Sequence, residues 1–309
     1  MRRFADTTQC KGVEKMNNIS PYKMKRAMGK YTVMAARYLI LISLCYVILY
    51  PLFSKLSISF MTLDDLYDQS VNLIPHNATL HNFKVAIENV EYLSSLLKTL
   101  LFTFISSLLQ IASSLLVGYG FARFNFKGKN IVFACVLLLL IVPAQNVMTP
   151  LYFYFNKLGL LGTPIPMFLI SATSVGLRNS LYIYMFRQYF KGFPKELEEA
   201  GAIDGAGTFK VFTAVLLPCA VTIIFTCFVF SFVWLWTDTF YTTLFMPDNT
   251  LLQTRLLQMP IRIATTSNPN YASILRNVSI LLLIFPLMII YLICQRFFVE
   301  SVERSGIVG

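Results

Sequence analysis

Between two apolar stretches of this sequence, four carboxylates stand within nine residues: Glu196, Glu198, Glu199 and Asp204. They belong to the segment Phe193-Pro194-Lys195-Glu196-Leu197-Glu198-Glu199-Ala200-Gly201-Ala202-Ile203-Asp204-Gly205-Ala206. Pro194 suits the first turn of a helix, where its missing N–H costs nothing. The three glutamates then fall near the positive end of that helix's dipole. Gly201 and Gly205 loosen the chain, and Asp204 is placed to cap a second helix beginning at Gly205. That helix runs through Phe209 and Phe212 to Leu216, Leu217 and Pro218. Two short helices with a small-residue elbow result, open to two readings. One is an interfacial pair with a solvated acidic face; the other is a rigid knob that docks into a cleft on a partner.

Other chemistry is scarce. The two histidines, His76 and His81, share one polar loop, so neither supplies a base at membrane depth, and no H-E-x-x-H pair exists for zinc. No metal site is expected. The six cysteines (Cys10, Cys45, Cys135, Cys219, Cys227 and Cys294) lie far apart without metal-ligand spacing, and read as small buried hydrophobes. Lys129 follows Gly128, but Asn130 replaces the Ser/Thr of a phosphate-binding loop and no glycine stands five residues before Gly128. No cofactor is expected in the chain, and any ATP that powers it has to be bound elsewhere. Arg178 precedes Arg187 by nine residues, roughly 13 Å of helix at 1.5 Å per residue. It therefore falls inside an apolar run, with Asn179 beside it and Ser174 four residues earlier. An unpaired charge there costs at least a few kcal/mol.

The elements that must position these residues are membrane spans. Of 309 residues, 56% are hydrophobic and 13% charged, with mean hydropathy +0.62; a soluble domain carries about a quarter charged residues. Six runs satisfy the roughly 20 apolar residues that a span needs: 33–60, 94–122, 131–155, 164–187, 211–241 and 276–298. Backbone amides in lipid must be satisfied within the segment, so these are helices. The first thirty residues are polar and basic, with no cleavable leader apparent, so the first run is expected to act as an uncleaved anchor. The net charge of +11 sits at the ends of apolar runs rather than along one face, which argues against nucleic acid.

Lys and Arg set the orientation. One side collects Arg2, Arg3, Lys11, Lys15, Lys23, Lys25, Arg26, Lys30, Arg123, Lys127, Lys129, Arg187, Lys191, Lys195, Lys210, Arg296 and Arg304. The other has Lys84, Lys157, Arg255 and Arg262. The expected chain is an all-α integral membrane protein with both termini cytoplasmic. It comprises a basic segment 1–32, a transmembrane domain 33–298 carrying an elbow loop at about 188–212, and a tail 299–309.

The elbow also carries a resemblance. Glu199-Ala200-Gly201-x-x-Asp204-Gly205-Ala206, followed by Phe212 and Leu217-Pro218, closely resembles the loop signature of ABC importer permeases, E-A-A-x-x-D-G-A with a later F and L-P. Gly201 stands where the family usually has alanine. Gly118-Tyr119-Gly120-Phe121-Ala122-Arg123, with Phe126-x-Gly128-Lys129, looks like the end of span two in carbohydrate importers of the maltose type. Trp236-Thr237-Asp238 resembles that class's W-N-D segment, with threonine for asparagine. Gln295-Arg296-Phe297-Phe298-Val299 and Gly306-Ile307-Val308-Gly309 also fit, although the family tail has glycines at Ser301 and Ser305 and lysine at Val308.

The resemblance implies the type I ABC importer permease fold in a bacterial inner membrane, with the elbow between spans four and five as the coupling helix. It implies a second, homologous permease, two ATP-binding subunits and an extracytoplasmic solute-binding protein. Glu196, Glu199, Ala200, Gly201, Asp204, Gly205 and Ala206 would form the ATPase-coupling surface, with Glu199 paired to a basic group of the ATPase. A carbohydrate is the implied substrate. Sugar sites combine aromatic stacking with a few polar groups, so Arg178, Asn179, Phe228, Phe232, Trp236 and Asp238 are candidates for the pathway, with Trp234 and Tyr241 near them. A non-sugar solute (polyamine, amino acid or phosphate) is the alternative within the family. A secondary transporter would show coupling carboxylates within the spans, and a channel a re-entrant pore loop; neither is evident.

Overall fold

The computed structural model describes residues 21–71, 73–142, 144–174, 176, 178–247, 250–266 and 268–306. The expectations for Arg2, Arg3, Lys11, Lys15 and residues 307–309 lie outside the described residues, and those for Lys23, Lys25, Arg26, Arg296 and Arg304 concern side chains that are not described. Among the described residues every regular element is helical. The long helices are α1 (Pro21–Phe60), α4 (Tyr92–Arg123) and α15 (Pro269–Gly306). Short helices α2 (Leu63–Tyr67) and α3 (His81–Asn89) link the first two. Then follow α5 (Lys129–Leu138), α6 (Ala144–Lys157), α7 (Ile165–Ala172), α8 (Asn179–Gly192), α9 (Glu196–Ile203) and α10 (Thr208–Val211). A π-turn (Phe212–Leu216) continues into α11 (Leu217–Cys219), α12 (Val221–Thr237), α13 (Phe240–Phe245) and α14 (Leu252–Thr266).

Helix α4 is the hub, packing on α8 most extensively and also on α7, α12 and α14. Its buried face reads Ser95, Thr99, Thr103, Ser106, Ser107, Gln110, Ser114 and Gly118, a stripe of small and polar residues at three- and four-residue intervals. Small residues let helices approach closely where lipid offers no hydrophobic drive. Gly118 shows how close: a Cβ there would lie 2.6 Å from the Cβ of Phe186 and 3.1 Å from the carbonyl of Ile183. Polar cross-links follow the same stripe. Thr99 Oγ1 accepts the Leu252 N–H at 2.7 Å, and Ser113 Oγ donates to the Ser171 carbonyl at 2.8 Å.

Two apolar clusters stand at opposite ends of this hub. Near the elbow, Tyr119, Phe186, Phe190, Phe212 and Leu216 pack together; at the other end Ala86, Trp236, Leu256, Met259 and Ile274 do. The surface remains strongly apolar, with Ile42, Val47, Leu101, Ile131 and Phe285 all exposed. Three helices, Lys30–Phe60, Tyr92–Arg123 and Pro269–Gln295, are each long and apolar enough to cross a membrane.

The other expected spans are not single rods. Span five bends by 75° between Thr208–Cys219 and Val221–Thr237, at the buried Ala220. Spans three and four are each two helices, α5/α6 and α7/α8. The break before α8 has a local cause, for Ser174 (φ 59°) and Arg178 (φ 60°) both take the left-handed conformation, which no continuing helix tolerates. Of the cysteines expected to be buried, Cys227 is buried and Cys294 partly so, whereas Cys45, Cys135 and Cys219 are exposed; Cys10 lies outside the described residues. His76 and His81 are exposed, as their polar loop implied.

Candidate functional site

The elbow is built by a helix ending, and the glycine at its corner is what closes it. At the C-terminus of α9 the Ala206 N–H donates to the Gly201 carbonyl and the Gly205 N–H to the Ala202 carbonyl, both at 3.0 Å. These two bonds, with Gly205 at φ 77°, make the Schellman closure that satisfies the last carbonyls of a helix. Asp204 is therefore the C-cap of α9, which corrects the expectation that it caps a second helix. That helix, α10, starts at Thr208 rather than at Gly205, with Gly207 as its N-cap and no side-chain cap bond. Pro194 likewise sits just ahead of α9 rather than inside it, with Lys195 as N-cap. Gly201 faces α10: a Cβ there would lie 3.1 Å from Val211 Cγ2. The glycine at this position thus lets the two arms approach closely.

Beyond α10 the chain widens into the π-turn, where the Leu217 N–H reaches the Phe212 carbonyl five residues back. Pro218 explains it, since proline has no N–H to give and its ring would strike the carbonyl four residues earlier. Such π segments occur mostly as single turns inserted in α-helices.

The elbow is held from beneath by α4. Arg123, the last residue of α4, donates to the Phe193 carbonyl at 2.9 Å and pairs with Glu198 at 2.5 Å. Its side chain is only 7% exposed, so one guanidinium ties the end of α8 and the start of α9 to the end of α4. Phe212 packs on Tyr119 with ring centroids 4.6 Å apart, and Tyr119 meets Phe190 edge-on at 5.4 Å. The outer surface is bare. Glu196, Glu199, Ala200, Asp204 and Gly205 are exposed, and so are Ile203 at 86% and Phe209 at 77%. Two large apolar side chains thus stand exposed beside a row of carboxylates, on a backbone fixed from below. Sequence reasoning missed the inward role of Glu198 and the paired role of Arg123. The available signal was an arginine closing an apolar helix on the same side of the membrane as the acidic elbow.

The second group of candidates divides. Asn179 is buried at the start of α8, and the Gln110 amide donates to its side-chain oxygen; Ser231 Oγ in turn donates to Gln110 Oε1 at 2.6 Å. One glutamine thus joins α4, α8 and α12 through polar groups, a knot that the sequence reading did not find. Arg178 stands at its edge, exposed, with its guanidinium 3.5 Å above the Trp234 ring, and it makes no ion pair among the described residues. Phe228 is half-buried against Phe104. Trp236 and Phe232 are corrected. Trp236 is fully buried, its indole N–H donates to the Leu283 carbonyl at 3.0 Å, and Phe232 stacks on it. A ring with no free face cannot meet a solute. The Asp238 carboxylate is half-buried and accepts the N–H groups of Tyr241 and Thr242 at 3.3 and 3.0 Å, capping α13.

Residues 114–304 match the family described as binding-protein-dependent transport system inner membrane component. Across 238 residues the chain is 29% identical to the melibiose/raffinose/stachyose import permease protein MelC of Bacillus subtilis, covering 77% of this chain and 84% of MelC. It is 26% identical over 271 residues to the arabinooligosaccharides transport system permease protein AraQ of Halalkalibacterium halodurans, covering 86% and 93%. In fold it resembles one chain of the crystal structure of a bacterial ABC transporter involved in the import of the acidic polysaccharide alginate. The TM-score is 0.70 at 18% identity, over 88% of this chain and 98% of that one.

Proposed function

The chain belongs to the family of binding-protein-dependent transport system inner membrane components, and from that premise we propose that it is a pathway-forming permease of an ATP-driven carbohydrate importer. The observation that carries this reading is the elbow, a Schellman-closed acidic tip bearing exposed Ile203 and Phe209 and fixed to α4 by Arg123. A tip of that shape is suited to a cleft in a soluble ATPase, and the chain has no phosphate-binding loop of its own. The elbow and both termini face the cytoplasm, as the basic loops require. The membrane is a bacterial inner membrane.

The working complex has a second, homologous permease, two ATP-binding subunits and an extracytoplasmic solute-binding protein. ATP binding closes the ATPase pair, the elbow moves with it, and α4 and α12 carry the movement to the pathway. Glu196 and Glu199 face the ATPase, while Glu198 holds the elbow to its own chain. A sugar or oligosaccharide is the substrate, in keeping with the names of MelC and AraQ. Arg178, Asn179 and Phe228 remain the pathway candidates, at the polar knot where span four is broken.

The test is to isolate the tagged chain from native membranes with its partners, and to measure ATP hydrolysis with and without the binding protein. Recovery of an ATPase and a second permease is expected, as is loss of the stimulation in Glu199→Ala and Gly205→Leu complexes. Recovery of the chain alone, or full stimulation in both variants, would sink the proposal.

A further inference from the structure

At the junction of α4 and α5 lies a recess of about 540 Å³ whose floor and rim are polar and basic. Lys129 and Arg187 line it from two different elements, α5 and α8, and Asn125 and Asn130 add amides; no carboxylate takes part. Lys129 Nζ donates to the Phe124 carbonyl at 2.8 Å, which fixes the ammonium at the rim. The Arg187 guanidinium lies 3.9 Å above the Phe133 ring, and its buried Nε has no partner among the described residues. Neither cation is in an ion pair among the described residues. Gly128, at φ 82°, turns the chain into the recess and leaves its Cβ side open.

The recess is not polar all round. Phe126 and Ile131 also line it and are 47% and 71% exposed, and Val132 continues that apolar flank along α5. Two uncompensated cations beside an exposed apolar flank fit one class of ligand, an anion carrying hydrocarbon. The position agrees, since Lys129 opens α5 and Arg187 lies in the last turns of α8, where spans meet the headgroup layer. Basic pockets between spans are built to hold lipid headgroups.

Resting on the membrane placement proposed above, we propose that this recess binds the phosphodiester of an anionic phospholipid, with the acyl chains lying along Phe126, Ile131 and Val132. The lipid would fix the α4–α5 corner only a few residues from Arg123.

The experiment uses the full chain in bilayers of phosphatidylcholine containing phosphatidylglycerol, extracted gently, with bound lipid quantified by mass spectrometry. Wild type is expected to retain phosphatidylglycerol in preference to phosphatidylcholine. Lys129→Gln/Arg187→Gln should lose that preference about 25-fold, since each of the two cations near an anionic headgroup contributes on the order of a fivefold effect. Lys127→Gln/Lys191→Gln removes two exposed cations of the same region outside the recess, and should retain the preference. Arg187→Lys keeps the charge and serves where the glutamine variant fails to fold; it should retain most of the lipid. Equal retention by wild type and the recess variant overturns the proposal. So does displacement of all bound phosphatidylglycerol by inorganic phosphate, which would mark a site for the free anion. Retention is read on the chain in lipid without ATPase or binding protein, so failure of the importer reading leaves this result standing.

Discussion

Helices α1 and α4 have apolar stretches of nearly equal length and the same mean hydropathy, yet of the most apolar 18 residues in each, none is buried within the chain in α1, against 44% in α4. Hydropathy alone does not separate them. The small and polar residues do: α4 carries Ser95, Thr99, Ser106, Gln110, Ser114 and Gly118 on one face. In α1 the run from Tyr38 to Phe53 has only Ser43 and Cys45 of comparable size. Partition into lipid needs apolar surface of any arrangement, whereas helix-on-helix packing in lipid needs a face that is small or can hydrogen-bond. The first is a property of composition and the second of spacing.

The contrast is most severely tested at Gly118. Gly118→Leu would drive a side chain into Phe186 and the backbone of α8, and should cost about 3 kcal/mol or more, with loss of folded chain in detergent. Measured unfolding that matches wild type would mean that α4 and α8 do not pack as described. Next comes Arg123→Ala, which leaves Glu198 without its cation and the Phe193 carbonyl without its donor. A loss of about 1–3 kcal/mol is expected, together with a fall in coupled ATP hydrolysis that Arg123→Lys restores in part. Retention of both in the alanine variant would detach the elbow from α4. The smallest effect belongs to α1: Ile42→Ala, at 68% exposure, should change the stability of the isolated chain by less than about 0.5 kcal/mol. A cost well above that in the assembled complex alone would show this face covered there by another subunit, and would sharpen the contrast into a division of labour.

Much of the architecture was legible. The long helices follow from apolar length, and the elbow from Gly205 and the small residues around it. What the sequence concealed was backbone geometry inside apolar runs. A hydropathy window averages across Thr173–Arg178, although Gly176 and the left-handed Ser174 and Arg178 break the helix there. Asp204 fits the N-cap rule for α10, but the Schellman bonds of α9 claim it first. Trp236 and Asp238 stand in a recognisable motif, but membership of a motif does not reveal what each side chain touches. Their partners, the Leu283 carbonyl and the first turn of α13, lie in elements whose approach no local pattern reveals. Arg123 and Glu198 stand 75 residues apart in the chain, and only the packing of α4 on α8 brings them together.

The 75° bend at Ala220 also governs what kind of movement can pass through it. Two rods joined in line transmit a push as a slide, but rods meeting almost at right angles turn most of it into a sideways sweep. A displacement along α10 and the π-turn would therefore swing the near end of α12 across the protein more than it would drive the helix along its own axis. The far end of α12 is held by Trp236, so the sweep has a fulcrum, and a small shift at the elbow would open or narrow the space beside Trp234 by tilting one wall.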